Sequence, residues 1–128
     1  MAKRILIIDD DPDIVDAMSL VLQTKGYEVD YAYDGPEGIN KVHAARPDLI
    51  VLDVMMATVD EGFQISYQLK NDPQLAKIPV LIATAVGQVT KFQFDRDRDG
   101  DFLPVEGYIE KPIKPDVLIE TVERLLAD

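Results

Sequence analysis

Residues 4–15 read Arg4-Ile5-Leu6-Ile7-Ile8-Asp9-Asp10-Asp11-Pro12-Asp13-Ile14-Val15. Ile5–Ile8 is apolar at every position, short and β-branched. Such a run describes a strand covered on both faces, as in a parallel sheet. It stops abruptly in three carboxylates. Pro12 suits the first turn of a helix, with Asp11 as the N-cap. Ile14, Val15, Met18, Val21 and Leu22 then recur at spacings of three and four, which is one apolar helical face. Gly26 is the expected C-terminal stop. A buried strand, an acidic turn and an amphipathic helix make one β–α unit.

Outward from this unit the alternation repeats. Glu28–Tyr33 sets Val29, Tyr31 and Tyr33 against Glu28, Asp30 and Ala32, the pattern of an edge strand. Asp34-Gly35-Pro36 is a turn. Pro36–Ala45 is helical with Ile39 and Val42 inward, and Arg46-Pro47-Asp48 breaks it. Leu49–Leu52 is a third strand and Ala57–Glu61 a loop. Phe63–Lys70 is a helix with Ile65 and Leu69 inward, ended by Asn71-Asp72-Pro73. Pro79–Thr84 and Gly107–Glu110 are the fourth and fifth strands; no element is assigned to Val86–Glu106. Pro115–Leu126 is the last helix, with Val117, Leu118, Val122, Leu125 and Leu126 at helical spacing. Five strands alternating with helices predict an α/β fold: a five-stranded parallel sheet, doubly wound, with right-handed crossovers and helices on both faces.

The 128 residues suit one domain, and 47% apolar with 29% charged content is ordinary for a globular chain. Cysteine is absent, which excludes disulfide and thiol chemistry and favours an intracellular location. A formal net charge of −11 argues against direct contact with nucleic acid or an anionic membrane, since both need a basic face. Lys3-Arg4 precede only four apolar residues, too few for a secretory signal. No apolar run approaches the roughly 18–20 residues that span a bilayer. The expectation is a soluble cytoplasmic protein. No repeat, low-complexity tract or linker interrupts the chain.

In a parallel sheet the strand ends on one edge share a crevice, where open α/β sheets bind ligands. Asp9 and Asp10 end the first strand, Asp53 the third, Thr84 the fourth, and Lys111 follows the fifth. Paired carboxylates do not both ionise comfortably without a cation between them. Mg²⁺ takes a few protein oxygens and completes its octahedron with water or phosphate. Asp53 would complete the site, with the backbone carbonyl of Met55. A carboxylate can also act as a nucleophile and form an acyl phosphate, which makes Asp53 the candidate reacting group. The Thr84 hydroxyl and the Lys111 ammonium would bind phosphoryl oxygens. Each residue singly has a plainer reading: an acidic turn capping a helix, a good strand residue in Thr84, a surface lysine in Lys111. Their order at alternating strand ends is what favours the phosphoryl site.

With these residues the chain resembles a response-regulator receiver domain of the two-component phosphorelay, chemotaxis-regulator-like. The matching pieces are ILIIDDDPDI, PDLIVLDVMM, PVLIATA and YIEKPI; the resemblance covers nearly the whole chain, residues 1–128 as one receiver domain, and the motifs are specific in combination. The resemblance implies a flavodoxin-like fold with βα repeated five times. It implies Asp53 as phosphoacceptor; Asp9, Asp10, Asp53 and the Met55 carbonyl as Mg²⁺ ligands; and Thr84 and Lys111 as phosphoryl contacts, with a cis peptide at Lys111-Pro112. Thr84 and Tyr108 match the switch pair. The implied donor is a sensor histidine kinase or histidine phosphotransfer protein. The output partner is unnamed, and the signal passes by protein contact or through a further domain.

Several stretches depart from the family pattern. Ala57 stands where receivers commonly have Pro, and Glu61 separates Asp60 from Gly62. Thr84 and Lys111 are 27 positions apart, more than usual, and the extra residues lie in KFQFDRDRDGDFLPVEG. Within it Asp95, Asp97, Asp99, Gly100 and Glu106 fit a calcium-loop spacing. Leu103-Pro104-Val105 replaces the exiting helix of such a loop, and Arg96 and Arg98 offer neutralisation, so a solvated turn is the favoured reading. Met55 and Val86 lie two positions after Asp53 and Thr84, where receivers flank the path of hydrolytic water. Both are apolar, which predicts slow dephosphorylation. His43 is the lone histidine, on a surface helix, and is not read as a relay residue.

The chain is therefore read as a signalling receiver and not as an enzyme. An aspartyl-phosphate hydrolase usually has a second Asp where Met55 stands. A dinucleotide-binding module would need G-x-G-x-x-G after the first strand, which is absent. A receiver-like interaction module that is never phosphorylated is the remaining alternative, against which the set Asp9, Asp10, Asp53, Thr84 and Lys111 speaks.

Overall fold

The apolar runs become strands and the periodic segments become helices. A computed structural model describes residues 3–53, 68–69, 71–73, 75–85, 107–111 and 113–126; for 84–85, 107–108 and 110–111 it describes the backbone alone. Strand β1 (Arg4–Ile8) leads into helix α1 (Pro12–Gln23), β2 (Glu28–Ala32), α2 (Gly35–Ala44) and β3 (Leu49–Leu52). After them come β4 (Val80–Ala85), β5 (Gly107–Lys111) and α3 (Pro115–Leu126). Among the described residues the strands form one five-stranded parallel sheet, in the order β2-β1-β3-β4-β5. This is the flavodoxin-like order of an open doubly wound sheet.

Side chains alternate between the two faces of a strand, and here both faces are covered. Leu6, Ile8, Ala32, Ile50, Leu52, Val80 and Ile82 pack on one face with Val42 of α2 and with Leu69, Leu75 and Ile78. Ile5, Ile7, Leu49, Val51, Leu81, Ala83 and Ile109 pack on the other with Val15, Met18 and Leu22 of α1 and with Leu118 and Val122 of α3. The central strand β3 is at most 1% exposed at every residue. Burying such side chains is worth roughly 1.5–3 kcal/mol each, so the sheet centre anchors the fold.

Local signals set the helix ends. The Asp11 carboxylate accepts from the N–H groups of Asp13 and Ile14 at 3.0 and 3.4 Å, as the N-cap reading requires. Gly26 takes φ +88°, a conformation that disfavours any side chain, and ends the α1 turn. Asp34 caps α2 by accepting from the Glu37 N–H at 2.8 Å. Gly38 lets α2 approach β1 closely, because a Cβ there would lie 2.5 Å from Ile8 Cδ1.

Strand bounds differ from the sequence reading by a residue: β4 runs to Ala85 and β5 to Lys111. Two side-chain expectations are corrected. Ala32 is fully buried and Tyr31 is 43% exposed, because α2 covers the Ala32 face of the edge strand while the layer over Val29 does not extend to Tyr31. Val117 is 41% exposed, since α3 turns Leu118, Thr121 and Val122 to the sheet. Gln68 and Leu69 are helical and Leu69 is buried, as the expected helix requires, while Asn71, expected to end it, is helical too. The rest of that helix, the Ala57–Glu61 loop and the Val86–Glu106 segment with its calcium-like spacing lie outside the described residues. No described helix is long and apolar enough to cross a membrane.

Candidate functional site

The chain leaves β1 towards β2 on one side and returns to β3 on the other. That reversal opens a crevice at the carboxyl ends of β1 and β3. Ile8 pairs in register with Leu52, so Asp9 and Asp53 step off the two strands side by side. The Asp53 N–H donates to the Ile8 carbonyl at 2.9 Å, and the Asp9 N–H donates to the Ala32 carbonyl at 3.1 Å. Each acidic residue is thus held by its backbone to the neighbouring strand.

One carboxylate oxygen from each of Asp9, Asp10 and Asp53 lies within 4.8 Å of the others. Asp9 and Asp53 are 1% and 4% exposed, and Asp10 is exposed. Three carboxylates this close repel one another, and a divalent cation relieves that repulsion. An all-oxygen set with one open side suits a hard cation that keeps part of its water shell. The third acid of the turn is committed elsewhere, since the Asp11 side chain caps α1. An unforeseen contact tightens the turn: Asp9 Oδ1 accepts from the Asp11 N–H at 3.0 Å. The D-x-D spacing is its sequence signal, an Asx turn in which an Asp binds the backbone two residues on.

The other expected residues reach the same sheet edge through register. Leu52 pairs with Ile82, two residues before Thr84. Thr84 then pairs with Glu110 and Ala85 with Lys111, while Tyr108 pairs with Ile82, two positions further into the sheet. The backbone thereby brings the ends of β1, β3, β4 and β5 to one edge. The side-chain roles expected of Thr84, Tyr108 and Lys111 lie outside the described atoms, and so do Met55, Val86 and Pro112. His43 is exposed on α2. A separate apolar groove of about 220 Å³ opens between α1 and α3, lined by Ile14, Met18, Val21, Ile113, Pro115 and Leu118 among others. It offers no charged group to a phosphoryl ligand.

The chain is similar to known proteins. The family model described as "Response regulator receiver domain" matches residues 5–123. The DNA-binding dual master transcriptional regulator RpaA of Synechocystis sp. is 42% identical over 125 residues, 96% of this chain and 48% of that protein. Protein PilH of Pseudomonas aeruginosa is 32% identical over 124 residues, 97% of this chain and 98% of that protein. The crystal structure of the Vibrio cholerae chemotaxis protein CheY4 at low pH superposes with a TM-score of 0.83 at 32% identity, covering 98% of this chain and 100% of that one. The chain spans about half the length of the first curated relatives it matches. With the sheet order, the acidic crevice and the family match in agreement, the chain belongs to the response regulator receiver domain family of two-component signal transduction.

Proposed function

We propose that this receiver takes a phosphoryl group onto Asp53 from a phosphohistidine donor, a sensor histidine kinase or a histidine phosphotransfer protein. The observation that carries the proposal is the cluster of Asp9, Asp10 and Asp53 at the switch point of the sheet. A carboxylate oxygen of Asp53 attacks phosphorus. A P–O bond forms, the P–N bond to the donor breaks, and the leaving imidazole nitrogen takes up a proton. Asp9, Asp10 and Asp53, with the Met55 carbonyl, would hold Mg²⁺, which when bound neutralises charge on the transferring group. Asp9 is oriented for this by the Asp11 N–H. Thr84 and Lys111 are assigned to the phosphoryl oxygens, and Thr84 with Tyr108 to the switch. The added dianion then biases the domain between two packings and changes its protein partners.

The role is a signalling one, with one phosphoryl group per chain and no turnover of a free substrate. The Synechocystis relative is named as DNA-binding. For this chain, with a net charge of −11, contact with nucleic acid is assigned to no residue described. The test is intact mass after incubation with acetyl phosphate and Mg²⁺, and with a phosphorylated histidine kinase domain. A gain of one phosphate that EDTA and Asp53→Asn both abolish is the expected result. No gain from either donor would leave the unphosphorylated interaction module as the correct reading.

A further inference from the structure

Two aspartates in succession bind the backbone two residues on. Asp9 Oδ1 accepts from the Asp11 N–H at 3.0 Å, and Asp11 Oδ1 accepts from the Asp13 N–H at 3.0 Å. Each is an Asx turn, and the second runs straight on from the first. Asp10 is the middle residue of the first turn. The second turn begins α1: Asp11 Oδ1 also accepts from the Ile14 N–H at 3.4 Å, and the Asp11 carbonyl accepts from the Val15 N–H at 3.0 Å. One end of this chain of bonds lies in the acidic crevice, and the other is the first turn of a helix.

Asp9 is nearly buried, and its own N–H is tied to the Ala32 carbonyl. Its carboxylate still has to be aimed, because rotation about the side-chain bonds would swing its oxygens out of the cluster with Asp10 and Asp53. The Asp11 N–H aims it, and that N–H is itself directed by how Asp11 is held. The Asp11 side chain is fastened to α1, and Pro12 keeps Asp11 in extended backbone, with φ −97° and ψ 106°. Once the side chain is pinned, φ sets where the N–H points. Mg²⁺ demands near-octahedral oxygen geometry, so a carboxylate that turns freely binds it less well. Losing a hydrogen bond that orients a metal ligand typically weakens affinity about tenfold or more.

We propose, on the Mg²⁺ reading of the crevice, that Asp11 is a positioning residue of the metal site. By capping α1 it aims its own N–H at Asp9 and holds the turn that presents Asp9 and Asp10 to the cation. The coupling is reciprocal: a cation that holds Asp9 in place steadies the first turn of α1.

Titration of the full chain with Mg²⁺, followed by two-dimensional amide NMR, tests the role and shows that each variant is folded. Asp11→Ala removes the cap acceptor and is expected to weaken Mg²⁺ binding about tenfold. Asp11→Asn and Asp11→Ser keep a capping oxygen without the charge, and are expected to stay within about twofold of wild type. Val21→Ala weakens the packing of α1 further along the helix and is expected to bind Mg²⁺ as wild type does. Exchange of the Ile14 amide is expected to slow with Mg²⁺ in wild type and not in Asp11→Ala. Unchanged binding in Asp11→Ala, or an Ile14 amide that Mg²⁺ does not slow in wild type, overturns the inference. Equal weakening in Asp11→Asn and Asp11→Ser overturns it in favour of charge, and equal weakening in Val21→Ala in favour of general helix stability. No Mg²⁺ binding in wild type would overturn the metal reading itself, an outcome distinct from all of these.

Discussion

Asp53 donates its backbone N–H to the carbonyl of Ile8 at 2.9 Å, the residue just before Asp9. One ladder bond thereby fixes the spacing of two nearly buried carboxylates, and their repulsion with Asp10 is built into the metal-free fold.

Neutralising the exposed member should show this directly. Asp10→Asn is expected to stabilise the metal-free protein by about 1 kcal/mol, the scale of two charges 4 Å apart in water. That corresponds to a rise of roughly 3–5 °C in Tm. The same change should shrink the further rise that Mg²⁺ produces in wild type. Thermal melts with EDTA and with Mg²⁺ measure both. An equal Mg²⁺ effect in wild type and variant would remove Asp10 from the site.

Gly38 faces Ile8 with Cδ1 and Cγ1 at 2.5 and 2.9 Å from where a Cβ would stand. Ile8 is fully buried and has nowhere to retreat. Gly38→Ala is expected to destabilise by about 1–3 kcal/mol, despite a helix-propensity gain of nearly 1. Ile8→Val deletes the nearer carbon, so the double variant should lose less than the two single losses added together. Urea unfolding of the four proteins measures the coupling.

Ser19 on α1 has a buried hydroxyl with no hydrogen-bond partner among the described residues. An unpaired buried hydroxyl costs about 1–3 kcal/mol, and alanine is the better helix former. Ser19→Ala is therefore expected to raise stability, by about 1 kcal/mol. A loss in the urea midpoint would show that the hydroxyl is paired in solution.

Burial, and then the charge of Glu123, push the Tyr27 phenol above its usual value of 10.0. The folded state thus disfavours the phenolate relative to the unfolded chain. The stability linked to this group is complete below about pH 10 and is lost as pH rises through the higher folded value. Tyr27→Phe is expected to flatten the fall in urea midpoint above pH 10, and Glu123→Gln to flatten it in part. An unchanged slope in Tyr27→Phe would assign the alkaline loss to other groups.

The apolar pair Met55 and Val86 predicts a phosphorylated form that outlasts the experiment's first minutes. Decay of the phosphorylated mass after donor removal measures it. A lifetime of only seconds is the contrary outcome.

Local windows carried much of the fold. Ile5–Ile8 and Leu49–Leu52 read as doubly covered strands, and both lie inside the sheet with helices on either face. Asp11 as N-cap and the bounds of α3 followed from capping and period alone. One further signal is legible in the sequence. Asp34 and Glu37 have the D-x-x-E spacing of a capping box, although Glu37 reaches the Tyr33 N–H instead of Asp34. Ala32, Tyr31 and Val117 depart from their sequence pattern because periodicity marks a face without saying how far the neighbouring layer extends.

By itself, the sequence determined the elements, their order and the chemical groups at their ends. Hydrophobic period, capping and turn chemistry act within a few residues. Only the tertiary structure decided what those groups meet. The order β2-β1-β3 put Asp9 and Asp53 on either side of one crevice, laid Gly38 on Ile8, and carried Lys41 across an edge to Tyr31. Those meetings join residues far apart along the chain, and they are set by which strands pair and how closely the layers pack, which no short window contains.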